Sequence, residues 1–119
     1  MYCRGIRGAT TVEHNDRDEI LAATSELLHT IVERNDLRTE DIASAIFSVT
    51  DDLNTAFPAR AARYMGWIDV ALMCTREIPV PGSLGSCIRV LLHVNTERSA
   101  AEMRHVYLKG AVNLRERDI

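Results

Sequence analysis

The chain has 119 residues, 46% of them hydrophobic and 26% charged, with a formal net charge of −3. That length suits one domain with its own core, so residues 1–119 are expected to fold as a single unit. The acidic balance argues against a nucleic-acid partner, which needs a basic footprint, and no apolar run approaches the ~20 residues of a membrane helix.

"MYCRGIRGATTV" predicts a first strand over about 2–8, followed by residues suited to extended structure. It carries early arginines but no apolar signal-peptide core. "NDRDEILAATSELLHTIVERND" is the clearest helix. Asp16 is placed to cap it, with Glu19 completing a capping box. Ile20, Ala23, Leu27, Leu28 and Ile31 give it one apolar face. In "RTEDIASAIFSVT", Thr39 is expected to cap a short helix over 40–43, and a strand follows near 44–50. In "FPARAARYMG", Pro58 opens and Gly66 closes a helix of about two turns. Arg60 and Arg63 then share one side of it. A strand is predicted over 67–74 in "WIDVALMCTREI", and "PVPGSLGS" is a loop. "CIRVLLHVNT" is a strand, "SAAEMRHVYLKG" holds a short helix ending around Val106–Leu108, and "AVNL" is a brief last strand.

These elements define an α+β domain with a mixed five-stranded sheet, one long helix and short helices. One long helix covers only one face of such a sheet, so self-association is the expected cover for the other. Cys3, Cys74 and Cys87 are odd in number and form no CxxC, which fits a reducing cytoplasm and neither a disulfide framework nor a zinc site. The four histidines show no metal-ligand spacing.

Candidate site chemistry comes from the arginines, which are thirteen of the fourteen basic residues. A guanidinium grips a carboxylate with two parallel hydrogen bonds, which an ammonium cannot do. Side chains alternate along a strand. In "CIRVLLHVNT", Ile88, Val90, Leu92 and Val94 therefore share a core face, and Cys87, Arg89, Leu91 and His93 share the other. Taken alone, that second face reads as simply wet, with Arg89 a solvated strand residue; the other arginines change that reading. Collected with Arg7, Arg60, Arg63, Arg115, Glu77, Tyr107 and Cys74, Arg89 would make a site for a dianion. It would need no metal, phosphate loop or catalytic triad.

"RGIRGATT", "FPARAAR", "CTREI", "CIRVLLHVNT", "RHVYL" and a late "LR" stand in this order from Arg4 to Arg115. In this the chain resembles the monofunctional chorismate mutases of the trimeric pseudo-α/β-barrel class, not the all-helical class. The resemblance implies a homotrimer with active sites between subunits. It also implies a cofactor-free rearrangement of the dicarboxylate chorismate to prephenate, in phenylalanine and tyrosine biosynthesis. By the same resemblance Arg89 faces the breaking ether oxygen, and Arg7 lies near the ether and a carboxylate. Glu77 accepts a bond from the ring hydroxyl, Cys74 lies at that hydroxyl, and Tyr107 donates to the side-chain carboxylate. Phe57, Ala59, Arg60 and Arg63 match a wall from the neighbouring subunit, and Met73, Thr75, Leu114 and Arg115 complete the surroundings. The alternatives are an imine or enamine deaminase on the same trimeric architecture, and a non-catalytic trimer binding a pathway metabolite. Glu77, Tyr107 and the Leu114-Arg115 pair favour the mutase.

Overall fold

The computed structural model describes residues 1–114. Its strands are β1 (Tyr2–Thr11), β2 (Ile42–Val49), β3 (Ala71–Arg76), β4 (Cys87–Thr96) and β5 (Val106–Tyr107). Its α-helices are α1 (Arg17–Asn35) and α2 (Ala59–Tyr64), and single 3-10 turns lie at Thr39–Asp41, Ala100–Glu102 and Lys109–Ala111. The sheet order is β3-β2-β4-β1-β5. β1 and β4 pair antiparallel along their whole length, from Tyr2 opposite Thr96 to Thr11 opposite Cys87. β2 runs antiparallel to β4, while the outer strands β3 and β5 run parallel to β2 and β1. The sheet is therefore mixed, as expected.

The helices lie on one face. The apolar stripe Ile20, Ala23, Leu27, Leu28 and Ile31 is buried there. It packs over Ile6 of β1, Phe47 of β2, and Ile88, Val90, Leu92 and Val94 of β4. Burying this many aliphatic side chains, at roughly 1.5–3 kcal/mol each, is what drives the two layers together. Gly8 lets α1 come close. A Cβ there would sit 2.7 Å from Ile31 Cδ1 and 3.2 Å from Leu27 Cδ1. The opposite face has no helix over it, and Met73 is 62% exposed on it.

Several local expectations are corrected. Asp16 does cap α1, its carboxylate accepting the Glu19 N–H at 3.0 Å, but the capping box does not close. The Asp16 N–H donates to the His14 carbonyl instead. Glu19 turns back to accept the N–H groups of Glu13 and His14, at 2.6 and 3.2 Å. Those bonds, the Glu13 N–H first, hold its carboxyl below the usual carboxylate range. Thr39 does not cap a helix. It lies inside a 3-10 turn that ends at Asp41, because Ile42 is already paired opposite Val94.

The third strand starts at Ala71, not at 67. Gly66, at φ 90°, ends α2, and the Trp67 N–H donates back to the Ala62 carbonyl. Trp67 and Val70 are then buried in the main core before the chain reaches the sheet. Tyr107 is not at the end of a helix but on β5, and "AVNL" is a turn, not a strand. Long-range bonds decide this. Fully buried Asn35, at the end of α1, donates to the Arg104 carbonyl at 2.9 Å and accepts the Arg104 N–H at 2.8 Å. Leu108 N–H donates to the Ala9 carbonyl at 2.9 Å. A segment gripped at one end by a distant side-chain amide and at the other by a distant backbone carbonyl is held extended against its local preference.

Candidate active site

Strand register builds the site on the open face. Arg89 pairs opposite Ala9 on one side and Ser48 on the other; Ser48 pairs with Thr75, and Ala9 with Tyr107. One line across the sheet therefore reads Thr75, Ser48, Arg89, Ala9, Tyr107. Paired residues share a face. The small side chains of Ser48 and Ala9 leave room on either side of the guanidinium. Arg7 pairs with Leu91, which puts it one diagonal step from Arg89, about 7–8 Å between strand positions.

Glu77 follows β3. Its N–H donates to the Val49 carbonyl at 2.8 Å, which extends the β2–β3 pairing by one residue. From there its carboxylate accepts a hydrogen bond from Arg89 Nη1 at 3.2 Å. Both side chains are largely shielded, 30% exposed for Arg89 and 25% for Glu77. The carboxylate therefore orients one edge of the guanidinium.

Arg7, Glu77, Arg89 and Tyr107 line one cavity of about 340 Å³, floored by Ile46 and Leu91. That volume is at the small end of ligand pockets. On the other side of the Glu77–Arg89 pair lies a larger hollow, about 830 Å³, walled by the 78–85 loop and Leu114. Leu114 is buried in a small cluster with Ala9, Cys87 and Ala111. Cys87 thus departs from the wet-face expectation, because the C-terminal turn covers it.

The remaining predicted residues lie elsewhere. Phe57, Arg60, Cys74 and Thr75 line a separate cavity of about 570 Å³, together with Arg17 and Arg76. Cys74 pairs opposite Phe47 and packs against the main core, so its thiol is not on the face that carries Arg89. Ala59 is buried in the first turn of α2, Arg63 is exposed, and Met73 is on the open face. Arg115 falls outside the described residues. Within one chain the predicted set is thus divided into two groups, one around Arg89 and one around Phe57 and Arg60.

Four contributors escaped the sequence reading. Ser48 and Ala9 act by being small beside Arg89. Arg17 and Arg76 bring positive charge to the second cavity. Arg60, then Arg17, hydrogen bond to the Tyr64 phenol and hold it below its usual value. Only the arginine bias of the composition pointed toward the last pair. Among the described residues no group of three His, Cys, Asp or Glu is arranged to hold a metal ion. None of the described helices is long and apolar enough to cross a membrane.

A surface that sets Arg7 and Arg89 beside Glu77 and Tyr107, with no metal cluster among the described residues, on a mixed sheet with one uncovered face narrows the class. The family model for chorismate mutase type I matches residues 3–118. The chain belongs to that family, whose members are isomerases of aromatic amino acid biosynthesis. Chorismate mutase AroH of Thermus thermophilus is 51% identical over 113 residues, 94% of this chain and 93% of that protein. Chorismate mutase AroH of Bacillus subtilis is 46% identical over 116 residues, 97% of this chain and 91% of that protein. A solved chorismate mutase from Clostridium thermocellum superposes with a TM-score of 0.89 at 58% identity, covering 90% of this chain and 96% of its own. The matches decide for the mutase family over the deaminase alternative.

Proposed function

We propose that this chain converts chorismate to prephenate in sites shared between the subunits of a homotrimer, with the residues around Arg89 stabilising the transition state. The reaction is an intramolecular rearrangement. One C–O bond of the enolpyruvyl ether breaks as a C–C bond forms, and negative charge gathers on the ether oxygen on the way. A fixed cation at that oxygen binds the transition state more tightly than the substrate, which is what lowers a barrier. Arg89 is that cation, already oriented by Glu77. Arg7 and Tyr107 hold the carboxylates, and Glu77 also accepts the ring hydroxyl. Clamping a flexible substrate near its reactive shape supplies part of the acceleration. No proton transfer, metal or cofactor enters this scheme.

The observation that carries the shared site is the division of the predicted residues. Phe57, Arg60 and Cys74 line a different cavity from Arg7, Glu77, Arg89 and Tyr107. A second copy laid on the open face brings the two groups together and covers Ile46, Leu91 and exposed Met73 at once. In this arrangement Phe57, Ala59, Arg60 and Arg63 form the neighbour's wall, Met73, Thr75 and Cys74 line the approach, and Leu114 with Arg115 closes the rim. Exposed Arg60 and Arg63 draw a dianion toward a chain of net charge −3. The cytoplasm is the compartment that fits three cysteines, Cys3, Cys74 and Cys87, odd in number and with no CxxC spacing.

The test is to mix two inactive variants, Arg63→Ala and Arg89→Ala, allow subunits to exchange, and assay chorismate turnover. Mixed assemblies regain activity if one chain supplies Arg63 and another Arg89. Native mass spectrometry reports whether the assembly is three chains. No recovery after demonstrated exchange sinks the shared-site reading.

A further inference from the structure

The 78–85 loop begins just after Glu77 and ends just before β4, which carries Arg89 three residues past Ser86. Within the loop the hydrogen bonds are local turns, Val80 N–H to the Ile78 carbonyl and Ser83 N–H to the Val80 carbonyl; Asp52 ties the loop's end to the end of β2. Its Oδ2 and Oδ1 accept the Ser86 N–H at 2.9 and 3.2 Å, Oδ2 also accepts the Ser86 hydroxyl at 3.4 Å, and Oδ1 accepts the Thr50 hydroxyl at 2.5 Å. Thr50 in turn accepts the Cys87 N–H on its hydroxyl oxygen at 3.0 Å and donates its own N–H to the Cys87 carbonyl at 3.1 Å.

The clip has three independent marks of a tight fit. Ser86 is held at φ 49°, a left-handed conformation that a serine adopts only under constraint. At Gly85 a Cβ would lie 3.0 Å from Asp52 Oδ2, tighter than ordinary contact, so the carboxylate would have to give by a few tenths of an ångström. The Ser86 carbonyl also accepts the Val12 N–H at 3.0 Å, so β1 joins the same knot.

We propose that Asp52 is a positioning residue for the reaction: its carboxylate clips the end of β2 to the start of β4 and so fixes how Glu77 and Arg89 meet. The route is short on both sides. Glu77 hangs from the Val49 carbonyl, one residue before Thr50. Arg89 stands two residues past Cys87, whose backbone Thr50 holds twice. Releasing the clip lets the two strand ends move relative to each other. A shift of a fraction of an ångström between Glu77 and Arg89 misplaces the guanidinium against the developing charge. The Thr50 hydroxyl, then the Ser86 bonds, hold the Asp52 carboxyl below its usual range, so the clip stays ionised at neutral pH. This inference rests on the roles given above to Arg89 and Glu77.

The experiment is a kinetic cycle on the full chain. Asp52→Ala is expected to lower kcat about tenfold with KM little changed, the pattern of an interaction made only in the transition state. Asp52→Asn is expected to stay within about threefold of native, because its Oδ1 still accepts the Ser86 N–H while its amide donates to Thr50. In an Arg89→Lys background, where the fork is already lost, Asp52→Ala is expected to cost less than about twofold further. A folded Asp52→Ala protein with native kcat overturns the proposal. So does an equal loss in both backgrounds, which would mark a general structural defect. If Asp52→Ala does not fold, Thr50→Val cuts the same clip from its other side and is judged by the same two comparisons. Native kcat in Arg89→Lys itself would instead remove the assignment of Arg89 on which the inference stands.

Discussion

Replacing Arg89 by alanine strips the cavity of its central cation and leaves Glu77, 25% exposed, without the guanidinium 3.2 Å away. The reaction loses a donor aimed at developing negative charge, worth ~3–4 kcal/mol, or a factor of roughly 10²–10³ in kcat. The pair with Glu77 adds to this. Once it is gone, the carboxylate is unopposed beside a dianionic substrate, and orientation is lost along with charge. We expect Arg89→Ala to fall by at least about 10³-fold in kcat. Arg89→Lys keeps the charge but presents one point in place of a planar fork, so it cannot satisfy Glu77 and the substrate together, and a loss near 10²-fold is expected. The assay is disappearance of chorismate under saturating substrate, with circular dichroism and native mass confirming an intact assembly. A folded Arg89→Ala protein within about tenfold of native kcat refutes the electrostatic argument, since ~1.4 kcal/mol is too little for such a donor.

The rate is expected to be flat from about pH 5 to 9, because no group exchanges a proton in the scheme; a bell centred on an imidazole pKa in a kcat profile would contradict it. Stability behaves differently on the acid side. Asp52, Glu19 and Glu102 all have folded-state carboxyls held low by hydrogen bonds from Thr50, Glu13 and Ser99 respectively. Their contribution is complete above the unfolded value of about 4 and disappears as the pH falls through the lowered one. Urea midpoints should therefore hold from pH 7 to 5 and drop below 4. Gly8→Ala forces a methyl against Ile31 and Leu27 and should destabilise by roughly 1–3 kcal/mol in denaturant titration; no change would show that α1 stands off β1 freely. Thr10 is fully buried with its hydroxyl unpartnered among the described residues, so Thr10→Val should raise the unfolding free energy by about 1 kcal/mol and move the urea midpoint up. A lower midpoint would mean the hydroxyl has a partner.

The sequence by itself determined the periodic elements and the family. Alternation in "CIRVLLHVNT" placed Ile88, Val90, Leu92 and Val94 in the core and turned Arg89 and Leu91 away from it, as found. The stripe of α1 and the Pro58–Gly66 frame of α2 were legible for the same reason: each is set by neighbours within a few residues. The order of six motifs carried the chorismate mutase resemblance, and the family match bears it out. Tertiary structure alone decided that Tyr107 is a strand residue. That outcome depends on Asn35 and Ala9, which lie more than sixty residues away and leave no local signal. It alone decided that Ser48 and Ala9 flank Arg89, because register is a property of strand pairs and not of either strand. It alone put Cys74 on the core face and Cys87 under the C-terminal turn. Local pattern fixes which way a side chain points; which distant residue it meets is settled only when the strands pair.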